Sequence, residues 1–246
     1  MGCTKELDFA SGLPTPTNYW PLTSIVGGAA PDTTGTNPLI LGQVSFATFV
    51  FSPGGGQAVV AGGLITNAMS FPSAAFPAFL DVAKSTNPLG YINTDSFTFR
   101  IWVKDPVTGF ASNLESRFIF DPGSLNVHSQ DAHVAVSSDI FYMHRTVPYD
   151  EQSLDFSADD LGIVGWHRII ISFDTATNTM LAKFDNDVSR TFVNPVGSSV
   201  TILDLLVLFI DGFSTLLCEC GLWKGTVLTE AQMLVDWNGG AGRTFP

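Results

Sequence analysis

Apolar and polar residues alternate along much of the chain with the period of two that is typical of β-strands. Residues 96–103 give the clearest example, with Phe97, Phe99, Ile101 and Val103 on one face and Thr98, Arg100 and Trp102 on the other. The same criteria predict strands at 19–22, 39–51, within 58–71, and at 118–120, 133–142, 166–173, 180–184, 200–210 and 216–223. Many short strands separated by turn-forming clusters predict an all-β chain, folded as a sandwich or a jelly roll.

Two stretches do not follow the alternation. Residues 76–88 are predicted to form a short helix or an irregular loop. Residues 149–162 carry five acidic side chains and are predicted to form a solvated loop. They do not fit a calcium-binding hand, because the twelfth position counted from Asp155 is Trp166 rather than Glu.

A short helix with signals at both ends is predicted after the last strand. Thr229 suits the N-cap position, and Gln232 three residues later completes a capping box. Leu228 and Met233 have the spacing of a hydrophobic staple. Asn238, which two glycines follow, favours the left-handed conformation that ends a helix.

The apolar side of this helix is predicted from its spacing. Met233, Leu234 and Trp237 form one apolar stripe. Because such a stripe must be buried, the helix is expected to pack on one end of the sandwich.

Several motifs resemble laminin G-like domains of the concanavalin A-like jelly-roll superfamily, and they occur in the family's order from about residue 19 to 243. They are Tyr19-Trp20-Pro21-Leu22 followed by Asp32-Thr33-Thr34-Gly35, the stretches 62–71, 97–104, 165–174 and 181–187, and the closing Glu219, Trp223, Leu228, Thr229, Gln232 and Asn238-Gly239. The resemblance implies a two-sheet antiparallel jelly-roll sandwich domain over 19–246. Residues 1–18 lack periodicity and contain Gly12, Pro14 and Pro16, so they are predicted to form an N-terminal arm. Cys218, where the family has Asp, departs from the pattern.

Charge restricts the partners that the chain can bind. The net charge is −12, and the 11 basic residues are scattered, so a nucleic-acid-binding face is not expected. Charged residues make up 14% of the chain. Either partner subunits cover much of its surface, or Ser, Thr, Asn and Gly supply the polar surface. No apolar run is long enough to span a membrane, and no secretory signal is expected.

Three cysteines do not indicate a disulfide framework or a zinc site. Cys218 and Cys220 are two apart in a predicted strand, and Cys3 lies in the arm. All three are expected to be reduced.

Catalysis is not expected. Glycoside hydrolases of this superfamily need paired carboxylates on one strand face, whereas Glu219 stands between two cysteines. No nucleophile elbow is present, and the four His are scattered.

One loop is a candidate calcium site. Asp32, Thr34 and Asn37 offer a carboxylate, a hydroxyl and amide or main-chain oxygens, which are ligands that calcium prefers. The alternative is a turn stabilised by the Asp32 side chain without any ion. No other cofactor is expected. Among aromatic residues that could contact a sugar, Tyr91, Tyr142 and Tyr149 lie near predicted loops.

Three function classes remain open. Laminin G-like modules occur in decoration, fibre and tail proteins of bacteriophage particles, so the resemblance implies a non-catalytic structural virion protein. Such a protein would be assembled in the host cytoplasm, would be a homo-oligomer attached to capsid or tail subunits, and could display a lectin-like surface to host glycans. The alternatives are a carbohydrate-binding module outside a virion and a glycoside hydrolase or lyase.

Overall fold

The computed structural model describes residues 12–45, 51–71, 79–85, 96–104, 116–121, 132–137, 140–146, 149–155, 165–177, 179–187, 189–193, 205–210 and 215–245. In chain order its strands are β1 Asn18–Trp20, β2 Ala29–Ala30, β3 Leu39–Ser45, β4 Phe51–Pro53, β5 Ala58–Ala61, β6 Asn67–Phe71, β7 Phe79–Ser85, β8 Phe97–Lys104, β9 Ser116–Asp121, β10 Ala132–Ser137, β11 Ile140–Thr146, β12 Tyr149–Asp155, β13 Trp166–Asp174, β14 Thr179–Phe184, β15 Arg190–Val193, β16 Leu205–Ile210 and β17 Thr215–Lys224. Helix α1, Glu230–Trp237, follows, with a 3₁₀ turn at Asn238–Gly240.

Two antiparallel sheets make up the sandwich, as the sequence predicts. The first has the strand order β15-β14-β13-β8-β17-β6-β5, with β1 paired to β17. The second has the order β12-β11-β10-β9-β16-β7-β3-β2, with β4 paired to β3.

The central strands of the first sheet are buried on both faces. Phe99 of β8 lies opposite Ile171 of β13, which places the apolar face predicted from the alternation against the core. The other face carries Arg100 and Trp102, which are also fully buried. They are covered by α1 and by the residues that follow it, so the C-terminal segment forms a third layer on this part of the sheet.

Helix α1 confirms the predicted caps. The Thr229 hydroxyl accepts from the Gln232 N–H, and the Gln232 side chain accepts from the Thr229 N–H. Asn238 ends the helix with φ +49° in the left-handed region. Leu228 and Met233 belong to the same core cluster, as the staple spacing predicts.

The predicted apolar stripe of α1 is wrong at one position. Met233 is buried, but Leu234 is 55% exposed. Asp236, rather than Leu234, is fully buried, because Arg100 lies between the helix and the sheet and binds the Asp236 carboxylate.

Two other predictions are also wrong. Residues 79–85 form strand β7 between β16 and β3 rather than a helix or loop. Residues 149–155 form strand β12 rather than an acidic loop. The pairing register places Glu151 opposite His144 and Asp150 opposite Arg145, so acidic and basic positions match across β11 and β12. Residues 156–164 lie outside the described part.

Further strands were merged or missed in the sequence pattern. The predicted strand 39–51 divides into β3 and β4, and 133–142 divides between β10 and β11. Strands β2 and β15 are two and four residues long and carry too short a pattern to be recognised. No helix in the described residues is long and apolar enough to cross a membrane.

Candidate functional site

A cluster of charged side chains lies between the first sheet and α1. Arg100 projects from β8, Arg168 from β13 and Asp236 from α1, and all three are fully buried. Ile170 is opposite Arg100 and Arg168 is opposite Trp102, so the two arginines share one face of adjacent strands. Asp236 bridges them, with 2.5 Å from Oδ1 to Arg100 Nη1 and 3.0 Å from Oδ2 to Arg168 Nη1.

Other N–H groups of the two arginines donate to main-chain carbonyls. Arg100 donates from Nε to the Glu219 carbonyl at 3.0 Å and from Nη1 to the Arg243 carbonyl at 3.3 Å. Arg168 donates from Nη1 to the Met233 carbonyl and from Nη2 to the Asp185 carbonyl, both at 2.6 Å. The two side chains therefore join β17, the β14–β15 turn, α1 and the tail after it.

Glu219 enters the cluster through an irregularity in β17. The pairing of β17 with β8 shifts between Cys218 and Gly221, so two residues of β17 lie opposite one of β8. Glu219 has φ +54°, which is unusual for a residue with a side chain. Its carboxylate accepts from the Tyr19 hydroxyl and lies 3.9 Å from Arg100 Nη2. These five residues, Tyr19, Arg100, Arg168, Glu219 and Asp236, are called the charged cluster below.

Aromatic rings enclose the charged cluster. The Arg100 guanidinium lies 5.8, 5.9 and 5.3 Å from the ring centroids of Tyr19, Trp223 and Phe245. The Arg168 guanidinium lies 5.1 Å from the ring of Trp237, which stacks on Trp102 at 5.3 Å. These faces attract the cations and exclude water from them.

Burial changes the ionisation of the charged cluster. Loss of solvation raises the pKa of Glu219 above its usual range, although Tyr19 and Arg100 act in the opposite direction. Burial and the neighbouring Glu219 carboxylate raise the pKa of Tyr19 strongly. Burial opposes the charge of both arginines. Asp236 and Glu219 outweigh it and raise the pKa of Arg100, whereas burial prevails and lowers the pKa of Arg168.

The charged cluster is arranged as a structural ion-pair network rather than as an open active site. Glu219 is 1% exposed, so its carboxyl group does not face a cleft that a polysaccharide could enter. Asp236 is engaged by both arginines. The arrangement holds α1 and the tail on the sheet through charge-assisted hydrogen bonds in a region without water contact.

The predicted calcium loop is organised around one carboxylate. Asp32 Oδ1 accepts from the N–H groups of Tyr19, Thr34 and Gly35, and Oδ2 accepts from the Asn18 side chain and the Asn37 N–H. Thr34 and Asn37 thus lie beside Asp32, as the candidate site requires. The main chain presents an N–H group rather than an oxygen to this carboxylate at both Thr34 and Asn37. This favours the turn without an ion. The calcium site stays a prediction.

His167 and Asp185 form a pair that the sequence does not reveal. His167 Nδ1 lies 2.8 Å from Asp185 Oδ2, and Asp185 Oδ1 accepts from the Arg168 N–H at 2.7 Å. The imidazole also stacks on Phe184, with 5.0 Å between ring centroids. Buried in β13 between these neighbours, His167 helps to fix the turn after β14.

The cysteines and tyrosines singled out in the sequence lie in different places. Cys218 and Cys220 are buried, free thiols. Tyr142 lies in β11 and Tyr149 in β12. Tyr91 and Cys3 are outside the described residues. Within the described ranges, no group of three His, Cys, Asp or Glu side chains could hold a metal ion.

Comparison with solved structures identifies the fold. The chain is similar to the binding domain of botulinum neurotoxin serotype D, with a TM-score of 0.62 and 11% identity over 92% of this chain and 51% of that one. It is similar to the binding domain of botulinum neurotoxin DC in complex with SialylT, with a TM-score of 0.61 and 9% identity over 90% and 50%. A structure concerned with the dependence of botulinum neurotoxin type C cell entry on two ganglioside molecules matches with a TM-score of 0.60 and 10% identity over 92% and 51%.

These likenesses have a defined extent. The chain spans about half the length of the solved structures it matches. At this identity they show the β-sandwich fold alone. No protein-family model and no curated protein matches the sequence.

Proposed function

We propose that the chain is a non-catalytic binding module with a lectin-like fold that recognises glycans. The observation that carries this proposal is the closure of the charged cluster. Its two carboxylates, the best candidates for acid–base chemistry in the described residues, are buried and bound to Tyr19, Arg100 and Arg168. Because these groups hold the layers of the chain together, we assign recognition to its surface.

The solved structures that resemble the chain support a binding role. Three of them are named as binding or receptor-binding domains, one of these in complex with SialylT. A fourth is named for the dependence of botulinum neurotoxin type C cell entry on two ganglioside molecules. In this chain the glycan would be recognised by aromatic side chains, since flat rings pack against the apolar faces of sugars.

Glycan binding can be tested on an array and then by calorimetry. The purified chain is expected to bind a restricted set of glycans, and one of Tyr91→Ala, Tyr142→Ala or Tyr149→Ala is expected to abolish that binding. The matching Tyr→Phe variants keep the ring and separate stacking from hydroxyl contacts. Absence of binding to any glycan by a folded sample would contradict the proposal.

The same glycans provide a test of catalysis. The chain is expected to release no new reducing ends from them, because Glu219 is enclosed. If the natural chain released reducing ends and Glu219→Gln did not, the chain would instead be a glycoside hydrolase.

We further propose that this module is a structural subunit of a bacteriophage particle. The resemblance to laminin G-like domains and the low fraction of charged residues, 14%, support a subunit whose surface is partly covered by neighbours. The protein is then expected in a defined copy number on purified particles. A protein found free in the lysate and absent from particles would contradict this location.

The N-terminal arm would attach such a subunit to its neighbours. Residues 12–17 make contacts within the chain: Pro14 and Gly12 accept at their carbonyls from Trp223 Nε1 and Gln232 Nε2, and the Thr17 hydroxyl accepts from the Lys224 N–H. A deletion that tests attachment should therefore end at residue 11. Removal of residues 1–11 is expected to leave a folded domain that no longer assembles, and undiminished assembly would argue against an anchoring arm.

A further inference from the structure

Strand β5 lies at an edge of the first sheet. It pairs with β6 through Ala58 opposite Ser70 and Ala61 opposite Asn67. Among the described residues no strand pairs with its other side. One row of main-chain N–H and C=O groups of β5 therefore points away from the sheet and is available to a further strand.

The side chains of β5 do not protect this edge. Its sequence is Ala58-Val59-Val60-Ala61, in which both alanines are exposed and both valines are half-buried. Edge strands commonly carry a lysine, a proline or another charge that prevents pairing with a second chain. None of these residues occurs within β5.

Strand β5 belongs to an uncharged part of the sequence. Residues 33–80 contain no Asp, Glu, Lys, Arg or His, although the chain carries a net charge of −12. Two copies of so acidic a chain repel each other over most of their surface. The uncharged segment is where they can approach closely.

Described parts of this segment lie in both sheets, with β5 in the first and β3 in the second. Gln57, which precedes β5, donates from Nε2 to the Gly42 carbonyl of β3 at 2.8 Å. The edge of the first sheet thus lies beside β3 of the second. Ile65, in the connection from β5 to β6, adds an apolar side chain that is 39% exposed.

We propose that β5 is the interface of a homodimer, in which β5 of one copy pairs antiparallel with β5 of a second copy and joins their sheets. A twofold axis makes identical strands antiparallel, so the edge is complementary to itself. Alternate residues of a strand direct their main-chain groups to opposite sides. The axis must therefore pass beside one residue, and either Val59 or Val60 meets the same residue of the second copy. This interface does not depend on the glycan-binding proposal.

Sedimentation of the full chain tests the interface. The natural chain is expected to form a dimer that dissociates at about 1 to 100 µM. Ala61→Glu and Ala61→Lys each place two equal charges in the paired strands, one or two residues from the axis, and each is expected to raise the dissociation constant about tenfold or more. An equimolar mixture of the two variants is expected to regain dimers, because the introduced charges are then opposite.

A matched control separates the interface from a general effect of charge. Ala176→Glu adds the same charge at an exposed turn after β13 and is expected to leave the dissociation constant unchanged. Unaltered near-ultraviolet circular dichroism verifies that each variant is folded. A natural chain that is monomeric up to 100 µM, Ala61 variants that dimerise as it does, or an equal loss in Ala176→Glu would overturn the proposal.

Discussion

Arg100 of β8 and Asp236 of α1 form an ion pair in which both side chains are fully buried and Nη1 lies 2.5 Å from Oδ1. The two residues are 136 positions apart in the sequence. The cost of desolvating a buried ion pair can offset the attraction between its charges. The contribution of this pair is therefore to position α1 rather than to add net stability. Because no apolar group could satisfy the guanidinium, the pair fixes which side of α1 faces the sheet.

Replacement of Asp236 is expected to loosen the C-terminal layer. Asp236→Asn removes the charge that serves both Arg100 and Arg168, and should lower the free energy of unfolding by about 3–5 kcal/mol, as for other buried pairs that lose one partner. Urea denaturation measures this. Leu234→Ala in the same helix is the control, and since Leu234 is exposed it should change the free energy by less than about 0.5 kcal/mol. Equal effects of the two substitutions would contradict the assignment.

Glu219 gives the charged cluster a pH dependence of known sign. Its folded-state pKa lies above the usual value of 4.5, mainly because of burial. The folded chain therefore holds this proton more tightly than the unfolded chain. The resulting stability is complete below the unfolded pKa and is lost as the pH rises through the folded pKa. Glu219→Gln keeps a neutral side chain, so its free energy of unfolding should increase relative to the natural chain as the pH rises from about 4.5.

Glu230 supplies a control of opposite sign. Burial alone would raise the pKa of this helix residue, but Lys183 and Ser189 outweigh it and lower the pKa. Its contribution is present above the unfolded pKa and is lost as the pH falls through the folded pKa. Glu230→Gln should therefore lose stability relative to the natural chain as the pH rises from the folded pKa of Glu230 to its unfolded pKa. Parallel profiles for the two variants would refute the assignment of both groups.

Leu13 tests whether residues 12–17 belong to the folded domain. Its side chain packs on the cluster that contains Ile170, Trp223, Leu228 and Met233. Since Leu13 is only partly buried, Leu13→Ala should lower the free energy of unfolding by about 1 kcal/mol. Thr15→Ala, at an exposed neighbouring position, should have no measurable effect. An unchanged unfolding midpoint in Leu13→Ala would show that this segment does not contribute to the fold.

Local signals were sufficient to predict the capped helix and most of the strands. Thr229, Gln232 and Asn238 act within a few residues of one another, so their roles can be deduced from spacing. The alternation in β8 identified the core face correctly. Strand β12 was missed because its acidic residues resemble a loop until the register with β11 shows their basic counterparts.

The charged cluster could not be predicted, because its members come from distant parts of the chain. Arg100 was the available signal, and alternation placed it on the face opposite the one that carries Phe99. Hydrophobicity likewise selected Leu234 for the buried side of α1 instead of Asp236. Neither signal reveals the third layer, which the C-terminal segment adds and which buries polar residues that can bind one another across it.

Calcium provides a direct test of the loop around Asp32. Because the carboxylate already accepts five hydrogen bonds from N–H groups, the melting temperature is expected to be the same in calcium and in EDTA. Asp32→Ala leaves those donors unsatisfied and should lower stability by about 1–3 kcal/mol in either buffer. A calcium-dependent rise in melting temperature that disappears in Asp32→Ala would establish the metal site instead.

The buried thiols should be chemically inert in the folded chain. Burial raises the pKa of Cys218 to about 12 and that of Cys220 well above its usual range. Since the thiolate is the reactive form, only a fraction on the order of one in ten thousand of Cys218 is reactive at about pH 8. Ellman's reagent should therefore detect no fast-reacting thiol in native Cys3→Ser protein and two in denaturant. Rapid labelling of either thiol under native conditions would mean that β17 opens to solvent, and that the layer over the charged cluster is not closed.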